Sequence, residues 1–203
     1  MKRVPSIPEE AEIKKIPHWA QVALAARCAR RLQPILGRVW TSASRMNLEK
    51  IENAISAIEI AAENAQKIEH SGNLIDDIVG VLKDFTSYVH SQKVRRENHP
   101  GYYCIQAGFC ALKSVDETNV SGRAWEACDC CEKIGDLCYG PGYRDNLIRH
   151  IRWDFQKLNK TQSSSWCDST PVSQEVLGPL WQPDKEPDWD KVAGDMKQKM
   201  QDS

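Results

Sequence analysis

The apolar residues of this chain recur at steps of three and four, and no run alternates with period two. That property restricts it to helices, because a 3.6-residue turn brings such positions onto one face. The clearest series is Leu48, Ile51, Ile55, Ile58, Ala62 and Ala65, with Asn47 suited to capping its start. A second series, Leu74 or Ile75, Ile78, Leu82, Phe85 and Val89, follows the turn His70-Ser-Gly-Asn73. So short a connection predicts an antiparallel helical hairpin. Both segments are rich in β-branched residues, but period outweighs propensity.

An earlier helix begins at Pro17, a good first-turn residue, and turns Trp19, Val22, Ala23, Ala26 and Ala29 inward. Pro34 is expected to end or kink it. A fourth helix starts near Pro100 and faces Tyr103, Ala107, Cys110 and Ala111 inward. A fifth runs from about Gly122 to Tyr139, with Ala124, Cys128, Cys131, Gly135 and Cys138 on one stripe, until the Gly-Pro-Gly at 140–142 stops it. A sixth uses Leu147, Ile151, Phe155 and Leu158.

Beyond Lys160 the composition changes. Gln162-Ser-Ser-Ser165 reads as a linker, and residues 166–189 hold four prolines and three tryptophans with little period. Such a segment is expected to lie extended over the bundle with its tryptophans in surface grooves, each contributing about 2–3 kcal/mol. A short last helix places Trp189, Val192, Met196 and Met200 on one side. The expected fold is therefore all-α: a bundle of about six or seven helices with an extended Trp/Pro-rich C-terminal tail packed on it. Residues 1–160 form the bundle domain, and 161–203 the linker, tail and terminal helix.

Charge is nearly balanced, 27 Lys and Arg against 28 Asp and Glu, so no global field directs the chain to nucleic acid or anionic lipid. No window approaches the roughly 18 uninterrupted apolar residues of a membrane span. Neither nucleic acid nor membrane is expected as a partner. The first ten residues lack the apolar core of a signal peptide, so a cytoplasmic, reducing location is expected. The eight cysteines are then not a disulfide framework, and the sequons at Asn119 and Asn159 read as chance matches.

Four of those cysteines, Cys128, Cys130, Cys131 and Cys138, crowd one short stretch. If any metal binds, these are its ligands. A structural zinc site wants two such pairs, and Cys104 and Cys110 are too far apart to supply the second. Position 132 is Glu, where a covalent haem site needs His, and no strand precedes the CxxC as a thioredoxin-type motif requires. Cysteine also replaces alanine readily on packed helix faces, and the stripes holding Cys28, Cys104, Cys110, Cys128, Cys131 and Cys138 otherwise carry Ala and Gly. Packing is the preferred reading. Cys130 flanks the stripe and is the least explained.

Arg27, Arg30 and Arg31 stand at i, i+3 and i+4, so their heads converge. The convergence suits an anion or a partner's carboxylates. It suits equally an internal pairing with acidic residues such as Asp145 or Asp154, holding the bundle in register. His150 and Asp154, at i and i+4, form either an acid–base pair or an ordinary helix contact. Nucleophile elbows, P-loops and dinucleotide fingerprints are absent, so no catalytic residue is assigned and no cofactor is expected.

The run Ile16-Pro-His-Trp-Ala-Gln-Val-Ala-Leu-Ala-Ala-Arg-Cys-Ala-Arg-Arg31 resembles the opening of a group of uncharacterised bacterial all-α proteins. The tail is similar to the same group's ending, which reads Trp-x-Asp-Asp-Thr-Pro-Val and then Gly-Pro-Leu-Trp-Pro. Here it reads Trp166-Cys-Asp-Ser-Thr-Pro-Val172 and Gly178-Pro-Leu-Trp181, with Ser169 for the second Asp and Gln182 before Pro183. The resemblance implies signature roles for Arg27, Arg31, Asp154, Asp168, Thr170 and Trp181, with Trp166, Asp168, Thr170 and Trp181 docking the tail. Some members of the group look like immunity proteins that neutralise a toxin by binding it. A protein-binding or regulatory module, partnered by a toxin or by itself, is the first expectation. A metal- or anion-binding protein or enzyme, using the cysteine cluster or the Arg27, Arg30, Arg31, His150 and Asp154 face, is the alternative.

Overall fold

The structure, a computed structural model, describes residues 6–116, 118–137, 141–161 and 166–201. Cys138 and the linker 162–165 lie outside these described residues. Among the described residues seven long helices form the bundle: α2 (His18–Val39), α3 (Arg45–Asn64), α4 (Ser71–Ser91), α5 (Pro100–Asp116), α6 (Val120–Leu137), α7 (Pro141–Lys160) and α9 (Trp189–Gln201). Two four-residue helices, α1 (Glu10–Ile13) and α8 (Gln174–Leu177), and a single 3₁₀ turn at Arg96–Asn98 complete the set. Among the described residues there is no strand, and no helix is long and apolar enough to cross a membrane. The all-α bundle expected from the period is what forms, and α9 packs back onto its core.

α2 is the axis of the molecule. Sixteen of its 22 residues are buried, far more than the single inward face expected from Trp19, Val22, Ala23, Ala26 and Ala29. The reason is its neighbours: α3, α5, α6, α7 and α9 all pack on it, so alanines and Cys28 on every side let other helices approach. A helix apolar all round belongs at the centre of a fold. For the same reason Pro34 does not end it. The helix continues to Val39, because burying Ile35, Leu36 and Val39 outweighs the hydrogen bond that Pro34 cannot donate.

Two boundaries also differ from expectation. Ser44, not Asn47, caps α3: its Oγ accepts the Asn47 amide at 3.1 Å. Asn47 is buried instead, and its Nδ2 donates to Asp84 Oδ2 of α4 at 3.3 Å. Only one of two neighbouring capping residues takes the role, and the packing of α3 on α4 selects it. The turn between these helices falls earlier than His70–Asn73. α3 closes at Ala65 in the left-handed conformation (φ 50°), and α4 already begins at Ser71. On α5 the inward side chains are Cys104, Ala107, Cys110 and Ala111, with Tyr103 only half-buried.

Candidate functional site

The arginines of α2 part company. Arg30 turns towards α3, where Glu59 takes its Nε (3.0 Å) and Nη2 (2.6 Å), and Glu52 takes Nη1 on both oxygens at 2.7 Å. These bonds, to Glu59 first, raise the Arg30 pKa. They also hold the Glu52 carboxyl below its usual range against the opposing pull of burial. Beside them lies a cleft of about 460 Å³ between α2, α3 and the tail, bordered by Arg27, Arg30, Glu52, Glu59 and Glu63.

Arg27 and Arg31 turn the other way, to α7. Both reach Asp154 Oδ2, at 2.8 and 2.7 Å, and the Asp154 and Arg31 side chains are fully buried. Asp145, the other acidic partner considered from sequence, pairs with Arg144 instead. Two buried guanidiniums on one carboxylate leave an excess positive charge, which is costly unless oxygen dipoles answer it. The tail supplies them. Arg27 donates to Gly178 O (3.1 Å) and Pro179 O (2.6 Å), Arg31 to Leu180 O (2.8 Å), and Lys157 to Leu177 O (2.5 Å). Four consecutive backbone carbonyls thus face three cations, with Gly178 at φ +65° setting the bend.

His150 stands in the same network but does not bond Asp154. Its Nδ1 meets the Asn146 carbonyl at 2.8 Å, so the proton sits there, and Nε2 accepts the Gln182 amide at 3.1 Å. Burial lowers its pKa and keeps the ring neutral. With both nitrogens engaged, it has no lone pair left for proton abstraction. Its ring lies 4.8 Å from Trp181, which is buried and also packs under the Arg31 guanidinium (5.5 Å) and against Trp189 (5.7 Å).

The other tail residues named from sequence have local partners. Asp168 accepts the His18 amide at 2.9 Å, tying the tail to the first turn of α2. Thr170 Oγ1 closes a turn by accepting the Cys167 amide at 2.9 Å, and Trp166 is half-buried against the core. Two side chains escaped the sequence reading, Lys157 and Asn146. Asn146 donates to Lys185 O at 2.8 Å, so positions 146, 150, 154 and 157 form one polar stripe that grips the tail. The spacing of 4, 4 and 3, which puts these positions on one face of α7, was the available signal.

The cysteines sort by helix face. Cys128 and Cys131 meet Cys28 of α2: the Cys28 and Cys128 sulfurs are 3.6 Å apart, and Cys131 Sγ lies 3.7 Å from Cys28 O. Cys130 is buried too, but makes no contact with Cys28 of the kind Cys128 and Cys131 make, and Cys110, Asp129, Cys104 and Cys28 are its electrostatic neighbours. Burial pushes the Cys130 and Cys131 thiols well above the usual range and Cys110 up to about 12, so all three stay protonated. Among the described residues no group of three or more His, Cys, Asp or Glu is arranged to hold a metal ion. The arrangement as a whole can bind a peptide backbone and fix helices to one another. No family model, curated protein or solved structure matches this chain.

Proposed function

We propose that the chain is a bacterial cytoplasmic protein-binding module, of the immunity type that neutralises a toxin by occupying it, and that the outer face of α3 makes the contact. Two features support the reading. The charged side chains best suited to chemistry are already engaged, Asp154 by Arg27 and Arg31, and Arg27, Arg31 and His150 by the protein's own tail, which makes them fasteners. The observation that carries it is where apolar surface is left outside. Met46 and Ile60, the exposed large hydrophobic side chains among the described residues, are 61% and 57% exposed and lie on one face of α3. Ile60 borders a shallow groove of about 250 Å³ with Ala57, Ala61 and Ile68. Covering an exposed isoleucine contributes about 2 kcal/mol to association, and an apolar anchor ringed by charge is the usual centre of an interface.

The test is capture from the native host followed by identification and reconstitution. Wild-type protein should recover one stoichiometric partner and suppress its toxicity on co-expression. Ile60→Glu should bind at least about 30-fold more weakly and lose protection while keeping the wild-type circular dichroism. Recovery of no partner, or a partner indifferent to Ile60→Glu, would sink the proposal.

A further inference from the structure

A separate cleft, of about 480 Å³, lies where the connection from α4 to α5 meets the end of α9. Its floor is apolar: Val94, Pro100, Leu137, Met196 and Met200. Its charged lining is of one sign, Lys93, Arg95 and Lys199. A second cleft of about 390 Å³ shares Val94 and Met200 and carries the apolar surface on to Val39 and Tyr88, with Lys197 at its edge. Neither has an Asp or Glu among its described lining residues.

The backbone adds an independent observation. Lys93 occupies the left-handed conformation (φ 57°) that closes α4, with its amide on His90 O and the Val94 amide on Val89 O. Glycine is the residue that takes this position without strain. Here the strain is accepted and a lysine is placed at the cleft. Its ammonium and the Arg95 guanidinium form no close ion pair with any described residue; Arg95 shares the field of Glu97 with Arg96, which is matched with Glu97 at 3.2 Å. Ala65 closes α3 in the same conformation (φ 50°), so what sets Lys93 apart is its place in the lining of the cleft with Arg95.

We propose that this cleft binds a linear amphipathic carboxylate, a medium-chain fatty acid, with its head group on Lys93 and Arg95 and its chain over Val94, Met196 and Met200. The combination selects the class. A guanidinium beside an ammonium matches a carboxylate. Flexible methionine side chains adapt to an acyl chain without demanding one shape. The volume lies within the range of small-molecule sites. A polar anion such as a nucleotide would leave its hydrogen-bonding groups facing the apolar floor, with Asn98 as the main polar side chain to receive them.

The experiment is calorimetric titration of the full chain with decanoate below its micelle concentration at low salt. Decanol, acetate and anionic phospholipid vesicles serve as comparison arms. Saturable one-to-one binding of decanoate is expected, about tenfold or more tighter than decanol, with none for acetate. Arg95→Gln and Lys93→Gly should each weaken decanoate about tenfold, the loss of one charge-assisted contact. Lys93→Gly separates function from fold, because removing the strain should leave the Tm equal to or higher than wild type while binding falls. The proposal is overturned if decanoate does not saturate by about 1 mM, the edge of meaningful affinity. It is overturned equally if decanol binds as well, if both variants bind like wild type, or if binding appears on vesicles alone.

Discussion

His99 shows how one buried titratable ring ties α5 to pH. It precedes Pro100, the first residue of α5, and its Nδ1 accepts the Gly101 amide at 3.1 Å. That is the N-cap role, taken by an imidazole in place of the usual short polar side chain. The ring is 3% exposed and meets Phe85 and Tyr88 edge-on at 5.1 and 5.8 Å. Burial lowers its pKa from 6.5 to about 4. In the unfolded chain the imidazole takes up its proton near 6.5. Between those values the unfolded state therefore binds more protons, and stability declines as pH falls from 6.5 towards 4. The full contribution is about 3 kcal/mol, present at neutral pH and lost by the lower limit. Urea midpoints at pH 7 and pH 4.5 should show the decline in wild type. His99→Asn, which keeps a capping acceptor and removes the titration, should show a much smaller one. Equal declines in the two proteins would mean that the ring is not what titrates.

At the scale of elements, the helices could be read from the sequence because their pattern is local. Ile51, Ile55 and Ile58, or Leu147, Ile151 and Phe155, declare a buried face within a few turns, and the structure buries them. What could not be read is which neighbour each face meets. The stripe on α6 looked like one surface, yet its parts serve two contacts. Cys128 and Cys131 lie against Cys28 of α2, while Gly135 lies under Arg144 of α7. Period identifies a face but carries no information about partners a hundred residues away. At Asn47, and at Pro34 as a helix end, packing on surrounding helices overrode the local preference. The α6–α7 contact is testable at Gly135. A Cβ there would stand 2.8 Å from Arg144 Cγ and 3.0 Å from its Cα, and backbone cannot move aside cheaply. Gly135→Ala should therefore destabilise by about 1–3 kcal/mol despite alanine's better helix propensity. Gly80→Ala, where nothing lies within 4 Å of the added carbon, should stabilise by a few tenths to about 1 kcal/mol in thermal melts.

For the whole molecule, α7 is the helix that fastens the N-terminal segment and the tail before α9. Arg152 takes Ser6 O at 2.7 Å and Ile7 O at 2.9 Å, anchoring the N-terminal segment. The stripe Asn146, His150, Asp154 and Lys157 meets the tail in reverse order, at Lys185, at Gln182, through Arg31 at Leu180, and at Leu177. The tail thus runs antiparallel to α7, bound through its backbone, with Leu177 and Trp181 as the buried apolar side chains of that stretch. Such a clasp is only as strong as the charge balance beneath it. Removing the Asp154 carboxylate would leave Arg27 and Arg31 buried against carbonyls alone, and an uncompensated buried charge costs about 3–5 kcal/mol. Asp154→Ala should therefore lower the Tm by about 10 °C. In hydrogen exchange the Gln182 and Val172 amides, bonded to His150 Nε2 and Ala62 O in the wild type, should lose protection before the α2 core does. His150→Ala makes the complementary measurement. It frees the Gln182 amide and opens space beside Trp181 while leaving the ion pairs intact, so exchange should quicken at the tail with a smaller fall in Tm than Asp154→Ala causes. If Asp154→Ala melted like wild type, the ion pairs would not be what secures the clasp; if the tail and α2 lost protection together, the tail would be part of the core and not a strap laid over it.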